Sequence, residues 1–141
     1  MNNIINDKNG ISYKLNQSDS TAIVVGLTNS ISSLLIPKFI KHNNHEYPII
    51  AIGENSFKKN RRLKTIKFPK DSQIRSIEKE AFAYSSLTNI KIPPTANHIG
   101  ERAFSFCRHL VSVDFSDNSN LHSIGKFNKH FNSSKSRRIS N

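Results

Sequence analysis

The sequence predicts a short solenoid, a chain of 141 residues wound into stacked coils that each give one short β-strand to a ladder. Short helical or 3₁₀ turns would join the strands, and a β-hairpin would cap the N-terminal end. Three observations lead there. A phrase of the form Leu-x-x-Ile-x-Ile-Pro recurs at near-constant spacing; a second phrase, Ile followed five residues later by Phe, recurs between its copies; and the stretch before the first copy alternates as two strands instead of repeating.

Taken in order, residues 1–10 (MNNIINDKNG) are polar and read as a flexible N-terminus. Residues 11–30 hold Ile11-Ser-Tyr13-Lys-Leu15 and Ala22-Ile-Val-Val25-Gly26, two strand patterns joined by the polar run from Asn16 to Thr21, hence a hairpin. The array then occupies residues 31–127 as about four repeats. Its clear copies are Leu63-Lys-Thr-Ile66-Lys-Phe68-Pro69, Leu87-Thr-Asn-Ile90-Lys-Ile92-Pro93 and Leu110-Val-Ser-Val113-Asp-Phe115-Ser116, preceded by the fainter Ile31-Ser-Ser-Leu34-Leu-Ile36-Pro37. The leucines of the clear copies stand 24 and 23 residues apart, and a fixed period of this size is the signature of a solenoid. The second phrase appears as Ile52-Gly53-Glu-Asn-Ser-Phe57, Ile77-Glu-Lys-Glu-Ala81-Phe82 and Ile99-Gly100-Glu-Arg-Ala103-Phe104; a last copy begins at Leu121-His-Ser-Ile124-Gly125 but has Lys129 where Phe is due. Residues 128–141 are polar and basic without strand or helix period, and read as a disordered tail.

Each pair of phrases makes one turn of the coil. Ile66 and Phe68 share a side of their strand because side chains alternate, and the following Pro ends the strand by removing a ladder donor. Phe57, Phe82 and Phe104 are expected to point inward from the turn. One coil cannot bury that side alone, so neighbours must stack, and each inward Ile or Phe then contributes about 1.5–3 kcal/mol.

These phrases resemble the BspA-type leucine-rich repeat, carried best by Ile99-Gly100-Glu-Arg-Ala103-Phe104-Ser-Phe-Cys107-Arg-His-Leu110. The resemblance implies a leucine-rich-repeat solenoid, a non-catalytic protein that binds other proteins, and a cell-surface setting. It also places Cys107 on the family's Cys position as a small buried filler; Asn60 and Ser85 stand there in the other copies. Departures are Glu78 for Gly, Ser56 for Ala, and a turn one residue shorter between Phe82 and Leu87.

Composition narrows function. One Cys excludes a disulfide framework or a cysteine-based zinc site within a single chain. The longest apolar windows are too short to span a membrane and the first residues lack the apolar core of a secretory signal, so the default compartment is the cytoplasm. No enzyme, cofactor or metal is expected. His42-Asn-Asn-His45-Glu46 is read as a solvated loop between Pro37 and Ile49; Asn16-Gln-Ser18, Asn132-Ser-Ser134 and Arg137-Arg138-Ile-Ser140 match short modification patterns that recur by chance. A short solenoid also offers few pockets for a small-molecule substrate.

Two surfaces remain. Outward strand positions should form the columns Leu35, Lys67, Lys91, Asp114 and Ser32, Lys64, Thr88, Val111, and the expected protein-binding residues are Lys64, Lys67, Thr88, Lys91 and Asp114. The alternative is polyanion binding, by nucleic acid or a sulfated glycan, suggested by a net charge of +11 and by Lys58, Lys59, Arg61, Arg62, Lys64, Lys67 and Lys70 within thirteen residues. Residue bias toward Asn, Ile, Lys and Ser is a competing source of that charge. Against a nucleic-acid reader, Phe57 and Phe68 are assigned inward and no exposed Tyr is expected near the patch. The last coil, without a legible cap, is a candidate for self-association.

Overall fold

Among the residues that a computed structural model of the chain describes, 4–116, 118–126 and 128, all regular structure is β-strand. Three strands, β1 (Ile4–Asn6), β2 (Ile11–Asn16) and β3 (Thr21–Leu27), pair antiparallel at the N-terminal end. In β2 the alternation is fully expressed: Ile11, Tyr13 and Leu15 are buried and Lys14 is exposed. The hairpin expected at residues 11–30 is therefore present, with a further strand on its outer edge. That strand lies in the stretch expected to be flexible. It is held because Asp7 organises the tight turn behind it, its Oδ1 accepting from the Asn9 and Ile11 amides and its Oδ2 from the Tyr13 hydroxyl at 2.8 Å. A polar run of this kind carries no strand period, so pairing of this sort is invisible to periodicity.

Four coils follow. One side of each is a strand of a four-stranded parallel sheet, β4 (Ser33–Leu35), β7 (Thr65–Lys67), β9 (Asn89–Ile92) and β11 (Ser112–Phe115). A second side continues the cap's sheet: β3 pairs in parallel with β6 (His45–Ile52), then come β8 (Ser76–Ile77), β10 (His98–Ile99) and β12 (Ser123–Ile124). The first coil carries an insertion, β5 (Phe39–His42), which pairs antiparallel with β6 so that His42 faces His45. Asn43 and Asn44 both have positive φ, 52° and 63°, as a two-residue type I′ turn requires, and Asn tolerates that region better than most residues. The segment expected as a solvated loop is thus a hairpin arm.

The third side corrects the expectation of helical or 3₁₀ turns. In the arc from Gly53 to Asn60, amides 56, 58 and 60 donate three residues back, while amides 55, 57 and 59 donate to carbonyls 79, 81 and 83 of the next coil. The arc from Glu78 repeats this toward Glu101, Ala103 and Ser105. Every second amide is committed to the neighbouring coil, so a helix cannot propagate. Asn55, Lys59, Glu80, Tyr84, Arg102 and Phe106 take φ between 55° and 64°, the third position of type II turns.

The core lies between these three sides. Phe57, Phe82 and Phe104 stack at centroid distances of 5.2 and 5.3 Å, flanked by the buried Leu63, Leu87 and Leu110 and by Ile66, Ile90 and Val113. Coils approach closely enough at Gly100 that a Cβ there would stand 2.5 Å from the Lys79 amide nitrogen. Cys107 is buried, its Sγ 2.9 Å from the Phe82 carbonyl, and burial raises its pKa.

No cap pattern is legible after Gly125, yet one residue ties down the last described coil. Asn128 is buried; its Oδ1 accepts from the Phe104 amide at 3.0 Å and its Nδ2 donates to the carbonyls of Gly100 and Gly125 at 3.0 and 2.9 Å. The equivalent Phe57 and Phe82 amides donate to backbone carbonyls of the next coil, whereas the Phe104 amide donates to the Asn128 side chain. The rest of the expected tail, with Lys129 and the patterns at 132–134 and 137–140, lies outside the described residues.

Candidate interaction surfaces

The parallel register builds the strand face. Leu35, Lys67, Lys91 and Asp114 line up across β4, β7, β9 and β11, through the pairs Leu35 with Lys67 and Lys91 with Asp114. Beside them, the amides of Lys64, Thr88 and Val111 donate to the carbonyls of Ser32, Lys64 and Thr88 in turn, which fixes the second column. Lys64, Lys67 and Lys91 are exposed, and Thr88 and Asp114 half-buried. Leu35 and Val111 are each 60% exposed and stand at opposite ends of the two columns. The face is thus basic at its centre with an apolar residue at either end.

The basic run is not one patch. Lys58 reaches across to Glu80 at 3.1 Å, and this hydrogen bond holds the Glu80 carboxyl below its usual range. The run has no acid in sequence; the acid comes from the next coil. Lys59 sits on the turn arc, Lys64 and Lys67 on the strand face, and Lys70 beyond Pro69, next to Asp71, which pairs with Lys38 at 3.2 Å. Arg61 and Arg62 are exposed on the link between arc and strand.

That link holds what sequence reasoning missed. Two residues connect arc to strand in one coil, Arg61-Arg62, and two in another, Arg108-His109, but Ser86 alone does so between them. The shorter link leaves a notch of about 300 Å³ with Ser85 and Ser86 as its floor and the arginines on its flanks. Tyr84 and Phe106, stacked on each other at 4.8 Å and 40% and 60% exposed, and the exposed His109 complete the lining. An exposed Tyr therefore does neighbour the basic run. Strand parity would place Phe106 inside with Phe104; the positive φ at Tyr84 and Phe106 turns both rings out. The deleted residue and the paired aromatics two after Phe82 and Phe104 were the available signals.

Other candidates do not assemble. His42 and His45 face each other across the hairpin turn, with Glu46 exposed beyond them, and among the described residues no group of three or more His, Cys, Asp or Glu could hold a metal. Among the described residues there is also no helix long and apolar enough to cross a membrane.

The family model of the BspA type leucine rich repeat region matches residues 29–140 in six copies. The chain belongs to the BspA-type leucine-rich repeat family. Its match runs beyond residue 127. No curated protein matches this BspA-type chain. Solved structures share its fold: the pneumococcal vaccine antigen PcpA at 24% identity and a TM-score of 0.61, over 87% of this chain and 40% of that one. A leucine-rich repeat protein from Bacteroides capillosus follows at 18% and 0.57, covering 81% of this chain and 99% of that one. The T. pallidum leucine rich repeat protein matches at 19% and 0.53, over 84% and 69%. The chain thus spans about two fifths of the length of the pneumococcal antigen.

Proposed function

We propose that this BspA-type chain is a non-catalytic interaction module that binds a partner protein through its strand face, with Lys64, Lys67, Thr88, Lys91 and Asp114 as the contact residues. The observation behind the reading is the register itself. Parallel strands hold these side chains at rungs about 4.8 Å apart on a rigid ladder, and the apolar ends at Leu35 and Val111 supply area that a basic stripe alone lacks. The partner surface that complements it is acidic at the centre with apolar margins. Buried Cys107, the one thiol in the chain, is held protonated by burial and away from solvent, which argues against nucleophilic chemistry. The test is photo-crosslinking from positions 67 and 91 against position 14 on the cap: a partner adduct at the first two sites, with the adduct from position 91 lost on Lys67→Glu, supports the reading, and adducts equal at all three sites sink it.

A second reading, polyanion binding, is favoured by the exposed series Arg61, Arg62, Lys64 and Lys67 along one coil. Anisotropy of labelled RNA and heparin over a salt series separates the two. Tight binding with a steep salt slope that Lys64→Glu with Lys67→Glu flattens would promote it; no binding at physiological salt leaves the partner protein.

A further inference from the structure

The notch is a built feature with no part in the strand-face reading. Its floor is the single-residue middle link Ser86 together with Ser85 just before it, two small hydroxyl residues. The flanking links stand two rungs apart, about 10 Å on the backbone, so Arg61 and Arg108 can meet over that floor. Neither guanidinium has an ion-pair partner among the described residues. The rest of the lining is the aromatic pair Tyr84 and Phe106, with His109 beside Arg108. Tyr84 and Phe106 each already give one ring face to the other, so the pair lines the notch as one stacked unit. A base-stacking reader needs a succession of free ring faces along a strand, and a bare inorganic anion has no use for an aromatic pair.

We propose that this notch anchors an acidic segment of a partner protein: an Asp or Glu carboxylate seats between Arg61 and Arg108 over the serine floor, and a neighbouring apolar side chain of the same segment lies against the Tyr84 and Phe106 pair. Guanidinium forks bind carboxylates with two parallel hydrogen bonds, and an exposed aromatic pair favours contact with an aromatic or aliphatic side chain. The site is a second contact region, beside the strand face and separable from it.

The test is fluorescence anisotropy of the whole chain with a labelled Gly-Gly-Glu-Phe-Asp-Gly-Gly peptide, a Glu-Ala-Asp version, and a twelve-residue oligothymidylate. The expected result is that the Phe peptide binds best. Arg61→Glu with Arg108→Glu should weaken it by about tenfold or more, and Tyr84→Ser with Phe106→Ser should bring its affinity down to that of the Ala peptide. Lys67→Glu should leave it unchanged. Circular dichroism would confirm that these exposed substitutions leave the fold intact. Equal binding of the Phe and Ala peptides, tighter binding of the oligothymidylate through the same arginines, or no peptide binding would each overturn the proposal. Binding that depends on Lys67 and not on the arginines would overturn it while leaving the strand-face reading standing.

Discussion

Phe82 lies between two parallel rings in the middle of the core, so truncation removes both stacks at once. Phe82→Ala should cost about 3–5 kcal/mol, measured as a shift of the urea midpoint, whereas Lys67→Glu at an exposed position should change it by less than about 0.5 kcal/mol. The reverse order of damage would invert the assignment of inward and outward positions. This column was legible in the sequence because Phe follows Ile at a fixed interval, and packing needs that interval. Phe106 was not legible, because its direction is set by a positive φ, and no residue type there announces one. Two buried acids add a pH dependence. Desolvation, first, raises both the Cys107 thiol and the Tyr13 phenol, and for Tyr13 the hydrogen bond to Asp7 acts the same way. Both are neutral in the fold, so their contribution is full below the unfolded values of about 8.5 and 10 and is lost as pH rises above them. Urea midpoints should be flat through neutral pH and fall above about pH 9, less steeply for Tyr13→Phe.

At the scale of elements, a strand stands out in sequence where its neighbours repeat it. The rungs β7, β9 and β11 were readable as copies; β1, β5 and the first half of β6 occur once each and were not. The turn arcs were misjudged as helical for a related reason: a helix satisfies its own amides, while these arcs send alternate amides to the next coil, a non-local pattern that local propensity does not contain. The hairpin arm offers a direct check. Asn44 holds φ 63°, which Gly adopts freely and a β-branched residue resists. Asn44→Gly should be neutral or stabilising by up to about 1 kcal/mol, and Asn44→Val destabilising by about 1–2 kcal/mol, both read from thermal melts. Equal effects of the two would mean that the turn is not type I′. The candidate surfaces divide in the same way: the strand columns followed from period, while the notch depended on a deletion whose consequence appears only after stacking.

For the molecule as a whole, stability should behave as a sum over coils and their interfaces. Asn128→Ala removes the hydrogen bonds that its side chain makes to the Phe104 amide and to the Gly100 and Gly125 carbonyls, at a cost of about 1–3 kcal/mol. Hydrogen exchange should quicken at Arg102 and Phe104 while Tyr13 and Phe57, near the cap, keep their protection. Uniform loss of protection would show that the array folds as a single unit. The orientation of the ladder carries a further consequence. Both sheets and the turn arcs direct their inter-coil hydrogen bonds along the stacking axis, so a pull applied to the two ends loads the coils in series and opens rungs one after another. The coils from β7 to β9 and from β9 to β11, of 24 and 23 residues, each free about 80 Å of chain when released, and the first coil frees more because it carries the β5 insertion. Under tension the molecule would lengthen in discrete steps, coil by coil, and a partner held at one end would feel a compliant tether.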